Sequence, residues 1–254
     1  PTLDANSIDA VATDPPYELG FMGRSWDRSG IANNVAMWAE VLRVLKPGGY
    51  LLSFGGTRTY HRMACAVEDA GFVIKDSIDW LYGSGFPKSL NLGDGKGTAL
   101  KPGHEPIVVA QKPLQGTYAA NLVRWGVGAL NIDGCRIEHG GDVDLTRQQR
   151  QSADTAGMNG LGESGFRADH TQSTYNESGR WPANVILDED AAAELDAQTG
   201  TLTSGTGSIR RVTGTGYRPN ALGAESRPAG TPCVEYGDSG GASRFFYVAK
   251  SARS

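Results

Sequence analysis

The first ninety residues alternate between short apolar runs and amphipathic runs, and this alternation constrains the fold more than any other feature of the sequence. Residues 35–45 place their apolar side chains on one helical face, and a second helix is predicted over residues 58–70. Four runs have the apolar content of strands, and they cover residues 8–12, 49–54, 72–82 and 105–111. Strands that alternate with helices predict an α/β sheet with crossover connections. We expect the last two strands to pair antiparallel.

The second half of the chain has a different composition. Glycine supplies 35 of the 254 residues, about twice its usual share. The sequence loses its apolar periodicity in residues 138–180 and 199–243. Between these stretches, residues 181–197 are typical of a strand followed by a short helix. We therefore divide the chain into three parts, an α/β core at 1–137, a Gly-rich region at 138–243 and a returning strand at 244–254.

Charge and composition exclude several classes of protein. The chain has 24 Lys and Arg against 28 Asp and Glu, a net charge of −4, so bulk electrostatics alone do not bind it to nucleic acid, although a local basic groove remains open. No apolar run approaches the roughly 20 residues of a membrane span. Cys65, Cys135 and Cys233 lack the spacing of a disulfide framework or a zinc site, and His104-Glu105 has no further ligands at metal-binding spacing. We expect a cytoplasmic protein with no membrane partner and no metal.

The tetrapeptide Asp14-Pro15-Pro16-Tyr17 directly follows the first predicted strand. The carboxyl end of a strand in an open α/β sheet is where ligands bind. Two prolines fix the backbone and remove two N–H donors, which leaves carbonyl oxygens free to accept hydrogen bonds. A carboxylate, free carbonyls and an aromatic ring suit a planar molecule that bears an amino group, such as adenine or cytosine. The alternative is a Pro-rich turn with a surface tyrosine.

Seven ordered segments resemble the amino-group DNA methyltransferases that use S-adenosylmethionine. They are TDPPYELGFMGRSWD, LKPGGYLLSFGGTRTYHR, DWLYGSGFPKSLN, KPGHEPIVVAQKPL, GALNIDGCRI, GRWPANVILD and SRFFYVAK. The order is similar to that of phage and restriction-modification enzymes in which the catalytic motif precedes the cofactor motif. The resemblance implies a partial Rossmann-like methyltransferase sheet, with an incomplete catalytic core at 1–137 and long Gly-rich, target-recognition-like insertions. The alternative is that these insertions are tolerated additions without a role in target recognition.

The resemblance also implies roles for the tetrapeptide. The Asp14 carboxylate and the Pro15 carbonyl accept the two hydrogens of a base amino group and make its nitrogen nucleophilic, and Pro16 keeps the turn rigid. Tyr17 stacks on a base flipped from double-stranded DNA, and stacking worth about 1–3 kcal/mol offsets an unstacking cost of a few kcal/mol. We therefore expect Phe or Trp at position 17 to retain much activity. Adenine N6 is favoured over cytosine N4, because serine often leads the motif in cytosine-N4 enzymes.

Four further residues are candidate DNA contacts. Arg58 follows a Gly-Gly pair, and Lys88 and Ser89 lie in the run GFPKSLN, so these three are predicted to contact phosphates or the flipped nucleotide. Trp26 is predicted to line the target pocket. The alternatives are solvated loop charges and a packed loop tryptophan. Cys233 follows a proline as in cytosine-C5 methyltransferases, but no strand pattern precedes it, so we reject that interpretation.

The cofactor motif of these enzymes, a Gly-rich turn of the form DPFxGSG, does not occur in the sequence. In this motif order it would follow SRFFYVAKSARS. No cofactor-binding residue is therefore assigned, and we expect a fragment whose partner is a further C-terminal segment of the same protein, with one bare, apolar sheet edge. The alternatives are half of a split methyltransferase and a non-catalytic DNA-binding remnant.

Overall fold

The computed structural model describes residues 2–19, 25–85, 89–138, 179–203 and 238–250. It confirms the predicted α/β architecture. The strands are β1 (Ile8–Thr13), β2 (Leu45–Phe54), β3 (Val73–Leu81), β4 (Asn91–Gly93), β5 (Lys96–Gly97), β6 (His104–Gln111), β7 (Val185–Asp188), β8 (Leu202–Thr203), β9 (Ser239–Gly240) and β10 (Tyr247–Ala249). The α-helices are α1 (Val35–Val44), α2 (Tyr60–Asp69), α3 (Tyr118–Trp125) and α4 (Glu189–Thr199).

Six strands form one sheet in the order β1-β2-β6-β3-β7-β10. β1 and β2 are parallel, and β3, β7 and β10 are parallel to one another. β6 runs antiparallel to both of its neighbours, β2 and β3, which confirms the predicted antiparallel pair. Five strands therefore end at the same side of the sheet, where β6 begins. We call this side the carboxyl edge.

Local signals account for the first helix. The side-chain oxygen of Asn34 accepts hydrogen bonds from two backbone N–H groups of the first turn of α1, at 2.9 and 3.3 Å. Such a cap satisfies donors that the helix leaves unpaired. Trp38 is the fully buried residue of α1, and its indole N–H donates to the carbonyl oxygen of Ala32 at 2.8 Å. This tryptophan fixes the helix against the sheet.

The core lies where α1 and α2 pack against the sheet. Its fully buried members come from both helices and from the strands between them, and they include Trp38, Leu51, Met63, Val67 and Ala110. Burying side chains of this size contributes roughly 1.5–3 kcal/mol each. The core thereby holds the carboxyl ends of β1 and β2 in fixed positions.

Some predicted boundaries are wrong by a few residues. α2 begins at Tyr60 rather than at 58, because the backbone N–H groups of residues 59 and 60 both bond the carbonyl of Gly56 and form a turn there. The strand predicted within 181–197 begins only at Val185. The returning strand predicted within 244–254 begins only at Tyr247, since residues 242–245 form a 3₁₀ helix before β10.

An aspartate of α4 explains the short final strand. The Asp196 carboxylate accepts hydrogen bonds from the backbone N–H of Ser243 at 2.8 Å and from its hydroxyl at 2.7 Å. These bonds lower the pKa of Asp196 below its ordinary value. They also hold the chain in a turn, so that it joins the sheet only from Tyr247 onward.

The described residues on either side of each long Gly-rich segment pair with one another. Ile137 pairs with Arg180, and β8 pairs with β9. The buried carboxylate of Asp238 accepts hydrogen bonds from the side chains of Arg180 and Arg244. Both guanidinium groups also lie over the ring of Phe245, at 5.1 and 4.2 Å from its centroid. We call Arg180, Asp238, Arg244 and Phe245 the stem clamp.

The outer edge of β1 has no partner within the described part of the chain, where β1 pairs with β2 alone. Its exposed side chains are those of Asp9, Ala10 and Ala12, so the edge is bare but carries small residues and a charge rather than a bulky apolar surface. The predictions for residues 139–178 and 204–237 lie outside the described residues. Among the helices that the structure describes, none is long and apolar enough to cross a membrane.

Candidate active site

The motif Asp14-Pro15-Pro16-Tyr17 lies at the carboxyl edge, immediately after β1 ends at Thr13. The Asp14 side chain is exposed, whereas Pro15, Pro16 and Tyr17 are partly buried. The motif therefore presents a carboxylate to solvent from a turn that is packed on its other side.

Contacts with Thr59, Gly56, Glu105 and Asp14 fix Tyr17. The hydroxyl of Thr59 donates to the Tyr17 carbonyl oxygen at 2.6 Å. The ring packs on Gly56, where a Cβ atom would lie 3.2 Å from the Tyr17 Cδ2 atom. The Tyr17 hydroxyl donates to Glu105 Oε2 at 3.3 Å. Burial and the nearby carboxylates of Glu105 and Asp14 raise the pKa of Tyr17 well above its ordinary value, so the hydroxyl stays protonated and keeps donating.

The loop after the motif is tied back to a buried carboxylate. Glu18 has a left-handed backbone with φ of 58°, which is unfavourable for a residue with a side chain. Its backbone N–H donates to Asp27 Oδ1 at 3.0 Å, and the Ser29 hydroxyl donates to Glu18 Oε1 at 3.3 Å. Asp27 is 3% exposed. These bonds hold the chain in the conformation that carries the motif.

A cleft of about 150 Å³ opens beside the motif and is lined by Asp14, Phe54, Trp80, Tyr82 and Glu105. We call it the aromatic cleft. The Phe54 and Trp80 rings are tilted by 52° with centroids 5.9 Å apart. The cleft is smaller than the roughly 300–1,000 Å³ of sites for drug-sized ligands. Three rings and two carboxylates around so small a space suit one planar ring system with N–H donors.

The structure describes three of the four residues predicted to contact DNA. Arg58 is exposed in the turn between β2 and α2, and Trp26 lies in a 3₁₀ helix, Ser25–Arg28. The Ser89 hydroxyl accepts hydrogen bonds from two backbone N–H groups that follow β5, at 2.9 and 3.2 Å. Neither Arg58 nor Ser89 lines the aromatic cleft. Lys88 lies outside the described residues.

Sequence reasoning missed four of the five cleft residues, although signals for them were present. Phe54 ends β2, Trp80 lies near the end of β3, and Tyr82 follows β3. Glu105 lies near the start of β6 and is directly opposite Trp80 in the antiparallel ladder. The predicted pairing of these two strands brings the strands together, but only the structure gives the register that sets Trp80 opposite Glu105.

The described residues fit the acceptor side of the predicted reaction better than the cofactor. Asp14 and Pro15, the residues predicted to bind the amino group, directly follow β1 at the carboxyl edge. The aromatic cleft, at about 150 Å³, has the size of one planar ring system. In the described ranges no Gly-rich turn follows a strand in the form that cradles S-adenosylmethionine, so no residue is assigned to hold it.

Comparisons with known proteins identify relatives. Residues 8–150 match the model of the DNA methylase family N6_N4_Mtase. Type II methyltransferase M.HindIII of Haemophilus influenzae is 27% identical over 188 residues, which cover 51% of this chain and 60% of that protein. Type II methyltransferase M.HpaI of Haemophilus parainfluenzae is 30% identical over 129 residues, which cover 48% of this chain and 38% of that protein. The chain thus spans less than two thirds of the length of these relatives.

Solved structures give similar matches. M1.HpyAVI in its SAM complex is 24% identical, with 44% of this chain and 46% of that chain covered and a TM-score of 0.29. TTHA0409 from Thermus thermophilus, complexed with S-adenosyl-L-methionine, is 21% identical, with 48% and 54% covered and a TM-score of 0.34. Since the family model covers more than half of the residues, the chain belongs to the DNA methylase family of N6 and N4 methyltransferases.

Proposed function

We propose that the protein transfers a methyl group from S-adenosylmethionine to the exocyclic amino group of a base in double-stranded DNA, with adenine N6 favoured over cytosine N4. The observation that carries this proposal is the position of Asp14 at the mouth of the aromatic cleft. A carboxylate beside a slot for one planar ring is the arrangement that amino-group methylation requires. Family membership supports the same chemistry.

The chain's own residues prepare the nucleophile. An exocyclic amino nitrogen reacts poorly because its lone pair is conjugated into the ring. Asp14 and the Pro15 carbonyl each accept one of its hydrogens, which draws the nitrogen toward a pyramidal geometry. S-adenosylmethionine supplies a methyl group activated by its sulfonium. The new N–C bond would form as the methyl–sulfur bond breaks and the sulfur leaves as a neutral thioether. The amino nitrogen then loses one proton, and we assign its acceptance to Asp14. Holding two substrates in line contributes about 7–11 kcal/mol to such reactions.

The aromatic cleft holds the base after it leaves the duplex. Phe54, Trp80 and Tyr82 line it, and stacking on an aromatic ring stabilises a base by about 1–3 kcal/mol. Flipping costs a few kcal/mol, so rings on more than one side offset that cost. Tyr17 does not itself line the cleft, but its hydroxyl contacts the cleft residue Glu105, and we assign its ring to stacking beside the cleft.

Contacts outside the cleft position the duplex. Arg58 is exposed at the carboxyl edge and is assigned to phosphates, which fix register without reading sequence. Lys88 and Ser89 are assigned to phosphates or to the flipped nucleotide, and Trp26 to the target pocket. The Gly-rich residues 138–243 are assigned to reading the target. A further segment that binds the cofactor, from the same protein, completes the enzyme. Its DNA substrate implies a cytoplasmic location.

Product analysis tests the reaction. Unmethylated plasmid DNA is incubated with the protein and S-adenosylmethionine labelled in the methyl group, digested to nucleosides and separated by mass. We expect label in N6-methyladenine. Label in N4-methylcytosine would keep the chemistry and correct the base. Label in 5-methylcytosine, or in glutamine of a protein, would contradict the proposal.

A second candidate is a DNA-binding protein without catalysis, which is favoured by the absence of a Gly-rich cofactor turn from the sequence. Calorimetric titration of these 254 residues with S-adenosylmethionine separates the two. Micromolar binding would show that the residues present hold the cofactor and would favour the enzyme. DNA binding without methylation, after the cofactor-binding segment of a relative is supplied, would favour the second candidate.

A further inference from the structure

We propose that Glu105 is a positioning residue that holds the ring of Tyr17 at the aromatic cleft, so that base capture depends on this pair. The proposal rests on the proposed function, because the ring matters only if a base enters the cleft. The sequence analysis assigns Glu105 no role in the site, and its side chain is partly buried near the start of β6.

The geometry of the carboxyl edge supports this role. The Tyr17 hydroxyl donates to Glu105 Oε2 at 3.3 Å. Tyr17 follows β1 and Glu105 lies in β6, and the sheet order places β2 between these two strands. The hydrogen bond therefore bridges the end of β2. Glu105 is also the ladder partner of Trp80, so one carboxylate connects the loop after β1 with the aromatic wall on β3.

The contacts of Tyr17 with Thr59 and Gly56 do not fix the far end of its ring. Thr59 holds the Tyr17 backbone through its carbonyl oxygen. Gly56 offers the ring a flat backbone surface with no side chain to interlock. The hydroxyl also interacts with the Asp14 carboxylate, which is exposed and directly follows β1. The bond to Glu105 is therefore the contact that ties the ring to β6. A phenylalanine at position 17 would keep the stacking surface and lose this restraint.

This inference refines the expectation that position 17 needs only a ring. If Glu105 acts through Tyr17, loss of either partner has the same consequence, and loss of both adds nothing. If Glu105 instead touches the base itself, the two losses are independent and combine. A double-mutant cycle distinguishes these cases.

The kinetic test measures kcat/KM for DNA in the intact protein. We expect Tyr17→Phe and Glu105→Leu each to lower it about five- to tenfold, the size expected when one hydrogen bond is lost. The kcat/KM of the double variant should be no lower than that of the less active single variant. Glu105→Gln should recover most of the loss, because its amide oxygen still accepts from the hydroxyl. Fully additive losses would overturn the proposal.

Tyr118→Phe is the matched control. In the wild-type protein, the Tyr118 hydroxyl donates to Gln111 Oε1 at 3.4 Å, in a partly buried contact at the other end of β6. It removes a similar bond far from the cleft and should leave kcat/KM within about twofold, with a comparable change in Tm. A loss equal to that of Tyr17→Phe would show a general effect on stability and overturn the proposal.

A second measurement does not depend on activity. In protein labelled with 3-fluorotyrosine, the fluorine resonance of Tyr17 is assigned from the Tyr17→Phe variant. We expect Glu105→Leu to shift or broaden that resonance and Glu105→Gln to restore it. An unchanged resonance in Glu105→Leu would overturn the proposal. If the wild-type protein does not methylate DNA, the proposed function fails, and the fluorine spectra still decide whether Glu105 positions Tyr17.

Discussion

Replacing Asp14 by alanine separates the chemistry of the site from its architecture. The Asp14 side chain is exposed and lies beyond the end of β1, so its loss removes no buried packing. Exposed substitutions of this kind usually change the free energy of unfolding by no more than about 0.5 kcal/mol. In a chain of 254 residues, that corresponds to about 1–2 °C in Tm. We expect the fold, including the bond between Tyr17 and Glu105, to persist.

The effect on the reaction should be much larger. In the proposed mechanism, Asp14 accepts one hydrogen of the amino group and opposes the positive charge that develops on its nitrogen. Loss of one preorganised electrostatic partner typically lowers kcat by about 10²–10³, or about 2.7–4 kcal/mol. Affinity for the duplex should change only a few-fold, because contacts with phosphates supply most of it. Asp14→Ala should therefore bind DNA and fail to methylate it.

Three measurements on one preparation test this expectation. Calorimetric unfolding gives Tm, transfer of labelled methyl groups gives kcat, and fluorescence anisotropy gives the Kd for DNA. Asp9→Ala is the matched control, since this exposed aspartate of β1 forms a surface ion pair with Lys46. Asp9→Ala should leave kcat within about twofold. A kcat for Asp14→Ala within tenfold of wild type, or a parallel loss of Tm and DNA affinity, would refute the reasoning.

Gly56→Ala would place a methyl group 3.2 Å from the Tyr17 ring, so the ring must shift and methylation should fall several-fold; Gly103→Ala, which meets nothing within 4 Å, should have no effect, and equal rates would contradict this. Trp80→Ala removes a stacking surface worth about 1–3 kcal/mol and should raise the KM for DNA about 5- to 150-fold; an unchanged KM counts against the cleft. Hydrogen bonds from a serine lower the pKa of Asp196 below its ordinary 3.8. Asp196 therefore stabilises the fold fully above pH 3.8, and this stabilisation is lost as the pH falls through the lower folded-state pKa. Asp196→Asn should lose stability less steeply than wild type on acidification. Superimposable acid-unfolding curves of the two proteins would contradict this.

The order of elements in the first part of the chain follows from local signals. Two prolines end β1 after a short apolar run, and Trp38 lies on the apolar face that predicts α1. The start of β2 does not follow from such signals. The sequence predicts this strand only from residue 49, after Pro47 and Gly48, yet α1 ends at Val44 and the strand already begins at Leu45. Leu45 pairs with Ile8 of β1, so tertiary pairing overrides the residues that locally favour a break.

The site divides in the same way. Asp14 and its neighbours were predictable because one short run combines a carboxylate, two prolines and an aromatic ring after a strand. Trp80 and Glu105 carry no such signal, since each is an ordinary strand residue until its partner is known. Their meeting depends on the insertion of β6 between β2 and β3. Sheet order of this kind is set by packing and is not visible in the order of the chain.

The stem clamp has a consequence for how such a protein diversifies. Ile137 with Arg180, and β8 with β9, close the chain on either side of residues 139–178 and 204–237. Once the ends are fixed, doubling the length of an intervening segment costs only about 0.6 kcal/mol of closure entropy. Insertions or exchanges there leave β7, β10 and the carboxyl edge in register. The sheet can thus serve as a constant scaffold, while the segments inserted in it vary in length and composition with little change in the free energy of folding.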